Sequence, residues 1–118
     1  MTRQDIAPIA LTCGEPAGVG LELAVQAAAQ IGASVPFFLI ADRRHVAGKT
    51  GPVPIIEITE PSQAKSAIND GLPLLHHDFP AENIPGMPAP RNAAAVISVI
   101  ERAVHLVQAG QASALCTG

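Results

Sequence analysis

The sequence predicts an α/β fold: a layered α/β/α domain with a mainly parallel sheet. Three observations lead there. Apolar, strand-like runs alternate with helix-like segments along the whole chain. The composition is 48% hydrophobic but only 3% aromatic, with no Trp or Tyr, so the core must be built from Ala, Val, Ile and Leu. The runs at Ile6–Cys13 and Ala112–Thr117 are short and unbroken, which suits strands buried on both faces of a parallel sheet.

Each element has its own reason. Ile6–Cys13 ends in Gly14, a natural exit from a strand. Gly18–Ile31 follows as a helix in which Glu22, Gln26 and Gln30 form one narrow polar stripe on an Ala-rich cylinder, so it should be largely covered. Gly32 is placed to end it in a left-handed turn. Val35–Ala41 reads as the second strand, with Pro36 near its start, where a missing donor matters least. A polar helical turn over Asp42–Ala47 comes next, then a short strand at Val53–Ile58. Pro61–Ile68 is a short helix opened by proline.

Leu72–His77 is a fourth strand. Asp78–Pro90 carries four prolines around Gly86, so no regular structure is expected there. A long helix spans Arg91–Ala109. Its polar face holds Ser98, Glu101, Arg102, His105 and Gln108, and its apolar face Val96, Ile100, Ala103 and Val107. Gly110 stops it, and Ala112–Thr117 forms the last strand. The chain then stops at Thr117-Gly118, at the carboxyl end of a strand where α/β sheets bind ligands, so a piece of a longer two-domain chain is expected.

Composition excludes several classes of function. A chain of 118 residues supports one core, and its net charge of −3 with scattered basic residues argues against nucleic-acid binding. No apolar run reaches the roughly 20 residues of a membrane span, and the first residues lack a signal-peptide layout. A cytoplasmic protein with reduced, buried Cys13 and Cys116 is expected.

The chemistry-bearing segment is Gly14-Glu15-Pro16-Ala17-Gly18-Val19-Gly20, between the first strand and first helix. Glycines allow a sharp turn and a close approach of helix to sheet, and Glu15 suits the positive end of the helix dipole. It is not a Walker loop, since Leu21-Glu22 follow Gly20, nor a dinucleotide fingerprint, since Leu23 stands where the third glycine belongs. On spacing alone the segment is either a structural turn or a cleft-lining loop.

The run Leu11-Thr12-Cys13-Gly14-Glu15-Pro16-Ala17-Gly18-Val19-Gly20, with Leu23 after it, resembles the N-terminus of the 4-hydroxythreonine-4-phosphate dehydrogenases. Looser similarity runs through Phe38–Asp42 and sharpens over Asn92–Gly118. The resemblance covers nearly the whole chain but only the first third or so of the family's length. It implies an isocitrate/isopropylmalate dehydrogenase-like fold, NAD as cofactor, and oxidation of a small phosphorylated substrate, 4-phosphooxy-L-threonine, in vitamin B6 synthesis. It also implies a homodimer with a divalent metal held by histidines from both subunits. None of those metal ligands, nor any catalytic residue, falls in the matched segment. Gly14, Glu15, Gly18 and Gly20 are the candidates for the cofactor-binding wall of the cleft.

Other residues invite plainer readings. His76 and His77 are neighbours on a strand and point to opposite faces, so they are not expected to share an ion. His45, beside Arg43 and Arg44, is expected on a solvated turn, and Arg102 and His105 on a wet helix face. A non-catalytic binding or assembly module, and an acyl- or phosphate-transferring enzyme of the same fold, are the competing functions.

Overall fold

The computed structural model describes residues 6–18, 20–32, 34–82, 84 and 86–117. These residues include five strands: β1 (Ile9–Thr12), β2 (Phe37–Ala41), β3 (Ile55–Ile58), β4 (Leu72–His76) and β5 (Leu115–Thr117). Four α-helices connect them: α1 (Gly20–Ile31), α2 (Arg43–Val46), α3 (Ala64–Ala67) and α4 (Ala93–Gln108). Short 3-10 turns at Pro61–Gln63 and Pro90–Asn92 lead into α3 and α4, each opened by its proline. The strands form one sheet in the order β3-β4-β2-β1-β5, and every pairing is parallel. The expected α/β class is therefore the observed one, with strand ends trimmed by one to three residues.

β2 sits in the middle and all five of its residues are buried, with Phe38, Leu39 and Ile40 fully so. Burying such side chains contributes about 1.5–3 kcal/mol each, so this strand anchors the sheet. The crossover from β1 to β2 through α1 runs one way across the sheet, and that from β4 to β5 through α4 runs the other. Right-handed connections then put α1 and α4 on opposite faces. The side chains agree: Ala10 and Thr12 are buried on the face where α4 meets β1, whereas Ile9 and Leu11 face the α1 side.

Four expectations need correction. β1 is buried on one face only, because α1 leaves Ile9 and Leu11 partly open. β5 is less covered still, and Cys116 is exposed instead of buried. The stripe on α1 is wider than Glu22, Gln26 and Gln30 alone, since Leu23 and Ile31 are also exposed. Gly32 is not left-handed; it is glycine because a Cβ there would lie 2.7 Å from both the Ala28 carbonyl and the Ile68 side chain. Gly110 does stop α4 with a positive φ of 77°. Among the described residues no helix is long and apolar enough to cross a membrane.

Candidate functional site

The carboxyl ends of the five parallel strands share one edge of the sheet, and two polar constellations among the described residues lie there. At the end of β1 the chain passes buried Cys13, whose thiol burial pushes up to about 11, and turns at Gly14 with φ 64°. A side chain would be strained there. Glu15 is exposed and braces the turn twice: its Oε1 accepts from the Ala17 amide (3.2 Å), and its carbonyl accepts from the Gly18 amide (2.9 Å). From α2's far side Lys49 reaches in, with Nζ 3.5 Å from the Pro16 carbonyl and 3.7 Å from Glu22. Gly18 is exposed and Gly20 starts α1, so Gly14, Glu15, Gly18 and Gly20 lie close in the chain beyond the carboxyl end of β1. Val19 lies outside the described residues.

The second constellation lies between the ends of β2 and β4. The segments that follow these two strands meet there, around Asp42. Its carboxylate is fully buried, caps α2 by accepting from the Arg44 amide (2.9 Å), and accepts from the Phe79 amide (2.9 Å) and from the Arg44 guanidinium at 2.8, 3.1 and 3.3 Å. Burial would raise its pKa, but the bonds from Arg44 and Phe79 outweigh burial and hold it well below the usual carboxylate range. Arg44 also donates to the Phe79 carbonyl, and Asn92 clamps Ala81 through its side-chain oxygen (3.0 Å). Residues 79–81 are thus strapped across the sheet edge, and the Gly86 amide beyond them touches the Ala17 carbonyl of the glycine-rich turn.

Three residues expected in solvent are drawn inward instead. His45 is only 2% exposed. Its Nε2 donates to the Ala81 carbonyl (2.8 Å), its ring edge meets Phe79, and its Nδ1 is buried without a partner. The cause is the strap itself, which covers the inward side of α2. Arg102 is half-buried because its length lets it reach β4, donating to the His76 carbonyl (2.8 Å) and to His77 Nδ1 (3.3 Å). His77 Nε2 then donates to Ser98 (3.1 Å), so Ser98 also leaves the solvent face. Val99 replaces Ile100 as a fully buried position of α4, beside Ala103. Glu101 and His105 are exposed as expected.

His76 and His77 do diverge. His76 accepts from the Arg43 amide at Nδ1 and meets Asp78 at Nε2 (2.6 Å), while His77 points into α4. Asp42, His76 and Asp78 bring ligand-type atoms within 4.8 Å of one another. The chemistry is against a divalent ion. Both Asp42 oxygens are engaged, the Arg44 guanidinium lies against them, and one His76 nitrogen is already an acceptor. This set does not fit the metal, and its groups are better described as the lock of the strap.

His77 gives a pH prediction. Burial, and then the charge of Arg102, lower its pKa from the ordinary 6.5. A depressed value means its contribution to stability is complete above the unfolded pKa of about 6.5 and is lost as pH falls through the folded one. Urea unfolding should therefore show lower stability at pH 5 than at pH 7.5, and His77→Gln should flatten that part of the profile. An unchanged profile in the variant would remove His77 from the account.

No family model matches the sequence. The chain is 50% identical over 111 residues to the 4-hydroxythreonine-4-phosphate dehydrogenase of Paracoccus denitrificans, covering 93% of this chain and 32% of the relative. It is 42% identical over 111 residues to that of Roseobacter denitrificans, covering 94% and 33%. A crystal structure of a 4-hydroxythreonine-4-phosphate dehydrogenase from Burkholderia phymatum superposes with a TM-score of 0.78 at 26% identity, over 95% of this chain and 36% of that one. The Klebsiella pneumoniae structure, at 18% identity and a TM-score of 0.79, agrees in fold.

The fold defines the class, a parallel α/β segment, and the solved structure it superposes on bears the name of a dehydrogenase. Within that class its sequence relationship is to the N-terminal portion of the 4-hydroxythreonine-4-phosphate dehydrogenases. The chain spans about a third of the length of the curated relatives it matches.

Proposed function

We propose that this chain is the N-terminal part of a two-domain, cytoplasmic, NAD-dependent dehydrogenase that oxidises 4-hydroxythreonine 4-phosphate in vitamin B6 synthesis. The observation that carries the proposal is the glycine-rich turn at the carboxyl end of β1, in a chain whose relatives bear that enzyme's name. In this reading Gly14, Glu15, Gly18 and Gly20 form one wall of the cleft. Glu15 and Gly18 are exposed, and Glu15 holds the turn's shape through the Ala17 amide. NAD, when bound, supplies the hydride acceptor. The divalent metal implied by the family resemblance would be held outside this chain, since Asp42, His76 and Asp78 do not fit it. Acting as a homodimer also follows from the resemblance.

The role left to this chain is positioning: the strap from Phe79 to Ala81 fixes the sheet edge against which the turn is set. A polypeptide of the relatives' length carrying this chain should reduce NAD with 4-hydroxythreonine 4-phosphate. Glu15→Ala in it should lower kcat/KM by roughly tenfold, in line with loss of one positioning contact, at unchanged circular dichroism. Wild-type kinetics in that variant would sink the Glu15 assignment. Absence of any turnover in the parent, with a folded spectrum, would favour the assembly-module reading instead.

A further inference from the structure

A lysine ordinarily keeps its ammonium in water. Lys49 does not: its side chain is only 14% exposed, against 45% for Glu22 beside it. The backbone sends it inward. After α2 the Lys49 amide donates to the Val46 carbonyl (3.0 Å), and Gly48 turns the chain at a φ of 83°, which glycine adopts freely. The ammonium then comes to rest between two parts of the glycine-rich segment. It donates to the Pro16 carbonyl inside the turn (3.5 Å) and lies 3.7 Å from Glu22 in the first turn of α1.

The neighbouring carbonyls of the turn are held by backbone amides, that of Glu15 by Gly18 (2.9 Å) and that of Ala17 by Gly86 (3.0 Å). The carbonyl between them is met by a side chain from 33 residues away. Pro16 itself is fully buried, so Lys49 reaches the turn from its packed side. Charge gives the contact a second effect. The positive end of the α1 dipole favours an anion, but Glu15 and Glu22 already put two carboxylates there. Lys49 sets a cation against the second of them.

We propose that Lys49 is a positioning residue for ligand binding at the glycine-rich turn. It ties the Pro16 carbonyl to the start of α1 and offsets the charge of Glu22, so that this wall accepts a phosphate-bearing ligand. The assignment rests on the reading of the turn as one wall of a dehydrogenase cleft, and adds a residue that acts on that wall from behind.

The test uses a polypeptide of the relatives' length carrying this chain. Lys49→Met should raise KM about tenfold for one of the two phosphate-bearing reactants, NAD or 4-hydroxythreonine 4-phosphate, with kcat within about twofold of the parent. Which KM moves tells which reactant lies against the turn. Lys49→Arg, which keeps the charge and the reach, should recover most of the loss. A merely structural lysine gives the opposite split, a lower active fraction seen as reduced kcat at an unmoved KM. That split, or both KM values within about twofold of the parent, overturns the proposal. Should Lys49→Met fail to fold, Lys49→Gln is held to the same thresholds. A parent without turnover sinks the dehydrogenase reading alone. Hydrogen exchange over the turn's peptide then decides about Lys49: exchange about tenfold faster in the variant supports it, and unchanged exchange overturns it.

Discussion

Replacing Asp42 with alanine is expected to cost about 3 kcal/mol of stability. Three losses combine. The cap on α2 disappears, about 1 kcal/mol. The Phe79 amide, which donates to Asp42 in a buried setting, is left without an acceptor at about 1–3 kcal/mol. Arg44 loses its partner, but its side chain is 54% exposed and water takes over, so that loss is small. Chemical unfolding should show a lower midpoint at an unchanged slope, and a loss below about 1 kcal/mol would contradict the strap's importance. Because the folded pKa of Asp42 is depressed, its contribution is present above the unfolded value, about 4, and is lost only as pH falls through the lower folded value. The effect of the substitution should therefore be nearly constant from pH 5 upward.

Gly71→Ala should be comparably damaging, at about 3 kcal/mol or roughly 15 °C in Tm. An alanine Cβ would stand 2.2 Å from the Pro54 carbonyl oxygen and 2.9 Å from the Pro54 ring. That same carbonyl accepts from the Leu72 amide at 2.9 Å, the bond that begins the β3–β4 ladder. The obstacle is backbone, so relief requires parting two strands and not merely turning a side chain. At a position free of such contact the same change commonly stabilises by about 0.4–1 kcal/mol. Calorimetry that left Tm within about 2 °C of the parent would show that the strand ends part at little cost.

The sequence made visible what depends on near neighbours. The 3.6-residue period of α4, its stop at Gly110 and the sharp turn at Gly14 are properties of a few adjacent residues, and each is where the pattern puts it. Hidden were the features decided by distant partners. His45 is buried by Ala81, 36 residues away, and Arg102 is drawn in by His76, 26 residues away. No local pattern reports those meetings. The one-sided cover of β1 was hidden for the same reason, since Ile9 and Leu11 read as core until the position of α1 is known. Of the candidate site, the glycine-rich turn was legible. The strap was not, although an aspartate directly after a buried strand and before a helical turn, as at Asp42, is a signal that could have found it.

The pairing of β1 with β5 also bears on the order in which the molecule assembles. Thr12 meets Cys116 across 104 residues of chain, whereas β1 meets β2 across roughly 28. Closing the longer loop costs about 1 kcal/mol more in chain entropy. Parallel neighbours so far apart also slow the search for the native pairing. During synthesis β1 can join β2 early, but its other side has to wait until residues 115–117 have emerged. A strand that ends up inside the sheet therefore remains an edge until β5 has been made, which gives chaperones a binding surface and off-pathway pairing an opportunity.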